Sequence, residues 1–359
     1  MIVLFPSDYY NIKTVDPDYA AEYEAVCQIP EFKPVLFNFD AFSSGEKIKL
    51  YPSDYYKEDF CIYRGWMLNP SKYEDLYYFL LCNNIGLVNA PCEYNECHLF
   101  PIVYQEIKEF TPKILCFQNA SDIDWDYVNK TFERFMVKDY VKSEKGTDFP
   151  EFFTTPIVAS EMNKNISKFI EMRGKLYTGG IVLKEYVKLK KYGDHTNEYR
   201  AFYLQNKLLS VCRNSNQPES CSLIPPDFFS QFSYLRSSYY TVDFAELQDE
   251  GWIILEVGDG QVSGLSPNQW PFKYYDDMRR ILLEERIPEN WDDIEDTLFC
   301  GTAEQIHALK CPKCGNGLRY TYCEGTRCTE ISCGCTRSRG HCAHRVPNFH
   351  ILKCSSTGK

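Results

Sequence analysis

No stretch of this 359-residue chain is apolar for long enough to cross a bilayer, a length of about 20 residues. The opening MIVLFPSDYY offers five apolar residues before Pro6 and no basic flank. That is too short for the apolar region of a secretory signal and reads as a first strand, so the expected location is cytoplasmic. Three nucleotide signatures are also missing: a GxxxxGK[ST] loop, a GxGxxG turn and a kinase catalytic loop. Their absence excludes the P-loop, dinucleotide and protein-kinase ways of holding phosphates, and any ATP site must be of another type. Internal repeats are lacking too. PSDYY at 6–10 and 52–56 has no similar flanks and is a chance echo.

What is present suits a globular protein. Apolar residues make up 44% and aromatics 16%, including 27 Tyr and 24 Phe. The length suggests two or three domains. The net charge of −11 is uneven. Residues 307–359 hold nine Lys and Arg against Glu324 and Glu330, a net of +7, which leaves −18 for residues 1–306. A basic tail of this kind suits nucleic acid, a protein partner or the acidic body itself. Of 17 cysteines, nine are scattered through residues 1–300 as small buried hydrophobes, and eight crowd into 311–354. Without a secretory signal, the crowd reads as metal ligands rather than disulfides.

The pattern alternates between strands and helices, an α/β or α+β class. IVLF, PVLFNF (34–39), FCIYRGWM (60–67) and IGLVN (85–89) read as strands, and SKYEDLYYFLLCNN (71–84) as a helix with a Ser cap. A second alternation starts at KILCF (113–117), with helices expected over 124–135, 159–173 and 271–286. RFMVKDYVKS (134–143) reads as a strand or strand pair, and GIVLKEYVKL (180–189), EYRAFYLQNKLLSV (198–211), SYYTVDFAEL (238–247) and GWIILEV (251–257) as four strands. The domains drawn from this are 1–105, 106–290, an acidic linker at 291–306 and a cysteine-rich tail at 307–359.

The run WIILEV ends in a carboxylate and then breaks into GDGQVSGL. A buried carboxylate must be paired or hold a metal. If DFAELQDEGWIILE is a hairpin centred on Asp249–Glu250, Asp243 stands opposite Glu256, about 5 Å away at Cβ. Regular alternation places Trp252, Ile254 and Glu256 on one face, and Ile253, Leu255 and Val257 on the other. Two facing carboxylates repel unless a cation lies between them, and Mg²⁺ suits such a pair, with Asp259 as a third ligand or a supporting group. An accidental pair at a solvated hairpin end remains open on these residues alone. Lys138 and Lys142 share a face if 135–142 is extended, opposite Val137 and Val141. Lys184–Glu185 interrupts an apolar strand, and Glu198 shares a face with Arg200. Cations from separate strands beside a metal site form the inventory for gripping a nucleoside triphosphate.

The ordered set Lys138, LKEYV (183–187), EYRAF (198–202), Asp243 and Glu256 resembles the ATP-grasp superfamily. It is most similar to a bacterial and phage branch carrying YRGWM, here 63–67, and EVGDGQVSGL, here 256–265. The resemblance covers about residues 1–290. It implies an ATP-grasp fold of two α+β subdomains, preceded by a small α/β domain. It also implies roles. Lys138, with Lys142 and Lys184 nearby, contacts phosphates. Glu185, Tyr186 and Val187 form the hinge that reads adenine, and Glu198 holds the ribose. Arg200 faces the triphosphate or a transition-state oxyanion, so Lys138 and Arg200 are the candidate catalytic residues. Asp243 and Glu256 hold Mg²⁺. The family pattern ends Glu-x-Asn, whereas position 258 is Gly, which leaves the third ligand to Asp259 or Gln261 or to none. Arg64 is a candidate substrate contact, or a structural arginine beside Trp66. The implied chemistry is formation of an acyl phosphate from ATP and a carboxylate, followed by attack of an amine or thiol. A eukaryotic cell-division-cycle branch of the superfamily implies a different outcome: ATP binding in assembly, without turnover.

The tail contains CPKCG, and Cys311-x2-Cys314 followed by Gly is a zinc-knuckle spacing. LRYTY and RCTEISC flank EGT as a small hairpin that would return Cys333 and Cys335 towards the knuckle. Cys328, Cys342, His341 and His344 compete for the fourth position, and a second ion is open. Zn²⁺ at such a closed site is structural.

Overall fold

The computed structural model describes residues 1–53, 60–267 and 269–284, together with 318–323 and 328–333. It divides into two units, one of Met1–Tyr94 with the chain from Trp270 on, the other of Asn95–Gln269.

The first unit contains β1 (Ile2–Pro6), α1 (Ala20–Cys27), β2 (Lys33–Phe37), α2 (Phe39–Ser43), β3 (Leu50–Tyr51), β4 (Phe60–Tyr63), α3 (Pro70–Cys82) and β5 (Gly86–Leu87). Every residue of β1 is buried, as the unbroken apolar run IVLFP requires of a central parallel strand. The sheet order is β3-β2-β1-β4-β5, with β1, β2, β4 and β5 parallel and β3 antiparallel to β2. The cap of α3 is Asn69, not the expected Ser71. The Asn69 side chain accepts from Lys72 N–H, and Pro70 at the first helical position has no N–H to leave unpaired.

The second unit begins within α4 (Pro91–His98) and continues through α5 (Phe100–Ile107), β6 (Ile114–Phe117), α6 (Trp125–Thr131), β7 (Arg134–Lys138), β8 (Phe153–Thr154), α7 (Ala159–Arg173) and β9 (Ile181–Glu185). The antiparallel order is β6-β9-β7-β8. One face of this sheet packs Phe135, Val137, Ile181 and Leu183 against Val128 of α6 and Met162, Ile166 and Phe169 of α7. The expected strand over 134–143 stops at Lys138. Asp139 ends it, because its carboxylate accepts from the N–H groups of Val141 (2.7 Å) and Lys142 (2.6 Å) and bends the chain.

A short hairpin of β10 (Lys191–Tyr192) and β11 (His195–Thr196) leads into β12 (Glu198–Leu204) and β13 (Lys207–Arg213). After α8 (Pro226–Ser230) come β14 (Tyr239–Glu246) and β15 (Trp252–Asp259). The expected single strand over 198–211 is therefore two. Gln205 (φ 50°) and Asn206 (φ 60°) are both left-handed, the two-residue turn that suits the twist of a hairpin. The second sheet is antiparallel, in the order β13-β12-β14-β15. Its core face brings Tyr199, Ala201, Tyr240, Val242, Phe244, Ile254 and Val257 together with Phe100, Val103 and Ile107 of α5 and Val182 of β9.

In the tail, β16 (Leu318–Cys323) and β17 (Cys328–Cys333) form an antiparallel hairpin with Cys323 opposite Cys328. The zinc candidates Cys311, Cys314 and Cys335, with Cys342, His341 and His344, lie outside the described residues. Among the described residues no helix is long and apolar enough to cross a membrane.

Candidate functional site

The β14–β15 ladder pairs Asp243 with Glu256, and β12 adds Arg200 opposite Asp243. The ladder then slips, for Phe244 pairs with Ile254 and Leu255 is left over as a bulge. This corrects the expected faces of β15. Regular alternation would have kept Glu256 beside Ile254 in the core, but the extra residue turns it to the opposite face. Ile254 and Val257 stay buried, while 38% of the Glu256 side chain remains exposed. Tyr199, Ala201 and Val242 fill the core face, so Glu198, Arg200, Asp243 and Glu256 share the other.

Cations from both sheets meet these carboxylates. Arg200 holds Asp243 with two parallel bonds, Nε to Oδ1 and Nη2 to Oδ2, each 2.7 Å, and its Nη1 donates to Gly264 O. Lys138 Nζ lies 3.1 Å from Glu256 Oε1. Lys184 Nζ donates to the carbonyl of Leu255, the bulged residue on the edge strand. Lys138 and Lys184 face the same way on neighbouring strands, with Met136 opposite Lys184 and Val182 opposite Lys138. Both ammonium groups lie over the Phe100 ring, at 4.9 and 4.3 Å from its centroid. The outer edge of β15 is covered without another strand: Ile254 N–H donates to Phe110 O, and Thr111 Oγ1 donates to Ile254 O.

The local field is strongly positive. Burial would raise the Glu256 carboxyl, but Lys138, Lys142, Lys184 and Lys145 outweigh it and hold the group well below the usual carboxylate range. Burial pushes Lys184 down to about 7, helped by Lys138 and opposed by Glu256. Four lysines and an arginine around two carboxylates leave a surplus of positive charge, the condition for receiving a polyanion.

The hinge candidates follow β9. Glu185 accepts from Lys113 N–H, and Tyr186 N–H donates to Arg134 O. The Arg134 guanidinium covers the Tyr186 ring at 4.4 Å, and Phe152 meets that ring edge-on. Val187 N–H has no partner among the described residues. Beyond the hinge, Glu246 fastens the chain to β14 by accepting from Lys190, Tyr192 and Asn197. Glu198 begins β12 and accepts from Thr196 Oγ1.

Three candidates lie apart from this group. Lys142 is not on the β7 strand face, since the Asp139 turn carries it away, and it reaches Glu256 through its field. Asp259 is fully buried and pairs with Tyr240 on the core side of the ladder, where it accepts from Gln261 N–H. Arg64, in the first unit, is 1% exposed and binds Glu22 through Nε (2.9 Å) and Nη2 (3.1 Å), while Tyr275 donates to the same carboxylate. Residues that sequence reasoning missed include Phe100, Lys145 and Asp139. Asp139 holds its turn while paired with Arg173 at 2.9 Å. Their only sequence mark was proximity to Lys138. Among the described residues, no group of three or more His, Cys, Asp or Glu side chains gathers as a metal site.

Residues 124–281, which carry the whole constellation around Asp243, match the model of an ATP-grasp domain family, the third family of its clade. The fold is ATP-grasp. The ATP-grasp RimK domain protein from Sphaerobacter thermophilus DSM 20745 is similar in fold, at 12% identity and a TM-score of 0.53 over 79% of this chain and 100% of that one. So is D-alanyl-alanine synthetase A from Vibrio cholerae O1 biovar eltor str. N16961, at 11% identity and a TM-score of 0.52 over 79% and 96%. D-cycloserine synthetase DcsG gives 10% identity and a TM-score of 0.51 over 79% and 100%. No curated protein matches the sequence. In ATP-grasp terms, β6–β9 and β12–β15 are the two sheets, and the lysines of one meet the carboxylates of the other.

Proposed function

We propose that the chain is a Mg-ATP-dependent ligase that joins a carboxylate to an amine or thiol through an acyl phosphate, on a peptide, protein or other macromolecular substrate. One observation carries this reading: the cross-strand pair Asp243–Glu256, held by Arg200 and Lys138 from different strands. Two carboxylates on one strand face fit a hard divalent cation. Bound there, Mg²⁺ would neutralise the β- and γ-phosphates and polarise the bond to be broken.

The protein's own groups do the rest. Lys138, Lys142 and Lys184 would meet phosphate oxygens. The backbone of Glu185–Val187 would read adenine through the Val187 N–H, and Glu198 would hold the ribose hydroxyls. Arg200, fixed by Asp243, would stabilise negative charge as the phosphoryl group passes to the carboxylate. Two structures of similar fold are named as synthetases, in keeping with this chemistry. A second reading, ATP binding without turnover, is favoured by Gly258, which adds no side chain beside Glu256. Incubation with Mg-ATP and panels of carboxylates and amines tests the choice. Acceptor-stimulated release of ADP and phosphate is expected, whereas tight ATP binding without release under every pairing favours assembly. Zinc binding by Cys311 and Cys314 stands on their spacing, and elemental analysis of a Cys311→Ser variant tests it.

A further inference from the structure

The strand face that carries Asp243 and Glu256 continues one step along the ladder to Thr241 and Gly258, which pair directly. Gly258 supplies no side chain, and other groups fill its place. A Cβ there would come within 3.0 Å of Ser263 Oγ and 3.2 Å of Thr241 Oγ1. The two hydroxyls lie 2.9 Å apart. Thr241 is 2% exposed and sits behind, while Ser263 is half-buried and lies towards the open side. The loop that delivers Ser263 is fixed at both ends: Asp259 accepts from Gln261 N–H, and Gly264 O accepts from Arg200.

The hydrogen-bond count gives this pair a direction. A serine hydroxyl has one proton and two lone pairs. Ser263 gives its proton to Asp259 O at 2.8 Å, so the bond with Thr241 must be donated by Thr241. One lone pair of Ser263 Oγ is then left over among the described residues. An oxygen that has spent its proton can accept but not donate. It suits a cation, not a phosphate oxygen.

We propose that Ser263, oriented by Thr241, supplies a neutral oxygen ligand to the metal ion held by Asp243 and Glu256, at the step of the ladder where Gly258 supplies none. This rests on the Mg-ATP reading above. Mg²⁺ requires six oxygen ligands and takes the balance from water and phosphate, so a preset neutral oxygen tightens the ion without adding charge. Thr241 acts through Ser263 and is a positioning residue.

The test uses the full-length chain with a non-hydrolysable ATP analogue, with Mn²⁺ as a paramagnetic probe read by electron paramagnetic resonance. Ser263→Ala and the isosteric Thr241→Val should each weaken Mn²⁺ binding at saturating nucleotide by about fivefold, the loss of one neutral contact. Thr241→Ser should bind as the wild type does. Nucleotide affinity in EDTA should be unchanged in all three. Wild-type Mn²⁺ affinity in Ser263→Ala overturns the proposal, as does an equal loss with and without metal. Glu256→Gln separates the two levels. If it abolishes Mn²⁺ binding while Ser263→Ala does not affect it, the hydroxyl ligand is wrong and the metal site stands. If Glu256→Gln binds Mn²⁺ fully, the metal site itself is wrong.

Discussion

Asp243 and Glu256 stand directly opposite each other in the β14–β15 ladder, yet each carboxylate is held by a cation from another strand, Asp243 by Arg200 and Glu256 by Lys138. Like charges at this spacing repel. The two cations therefore stabilise the pair in place, and a polyphosphate would find both within its reach.

The carboxylates should accordingly matter more for nucleotide binding than for folding. Asp243→Asn and Glu256→Gln keep shape and remove charge. Each is expected to weaken Mg-ATP binding by at least about tenfold, equivalent to about 1.4 kcal/mol. The melting temperature should change little for Glu256→Gln, because its side chain is 38% exposed. Isothermal titration with Mg-ATP reads the first quantity and thermal unfolding the second. Unaltered affinity in both variants would remove the metal assignment.

Asp139 makes a different prediction. It is fully buried, caps the turn after β7 and pairs with Arg173, itself 11% exposed. Asp139→Ala leaves that guanidinium without its partner and two N–H groups without an acceptor. Removing one member of a buried pair costs about 3 kcal/mol or more. Denaturant unfolding should show that loss, and the nucleotide site should weaken with it, because the turn positions Lys138 and Lys142. A fully stable Asp139→Ala would show that the turn is held by other contacts.

How far the site was legible depends on the residue. The opposition of Asp243 and Glu256 follows from counting across a hairpin, because DFAELQDEGWIILE contains both strands and their turn. The face of Glu256 does not, since nothing in IILEV marks Leu255 as the residue that bulges. The strand break at Gln205–Asn206 lacks the Gly that would signal a left-handed pair, and the run reads as continuous. FPIVYQEI is a short apolar run whose periodicity does not separate helix from strand, and it forms α5, which brings Phe100 under both lysines. Ser263 was visible only as one of several small residues, because its bond to Thr241 spans a turn and a ladder.

Arg64 offers a sharp contrast between structure and substrate binding. Its guanidinium is committed to Glu22, which also accepts from Tyr275. Arg64→Met would leave Glu22, 8% exposed, uncompensated. A stability loss of about 3 kcal/mol is expected, with Mg-ATP affinity preserved wherever the protein is folded. Normal stability combined with a raised acceptor KM would instead assign Arg64 to substrate.

Lys184 sets the pH dependence. Its folded-state value is pushed down to about 7 by burial and then by Lys138, from an ordinary value of 10.5. Between those values the unfolded chain binds a proton that the folded chain does not, so stability rises with pH across this window. The cost is fully present below about pH 7 and fades as pH climbs towards the ordinary lysine range. Lys184→Met keeps the apolar stem and removes the titration. Its melting temperature should exceed the wild type's most at about pH 6.5, by several degrees, and the gap should close steadily towards about pH 9. Paired melting curves across that range read the difference directly. A gap that stays constant with pH would mean that Lys184 remains charged in the folded protein, stabilised by the Leu255 carbonyl and the Phe100 ring.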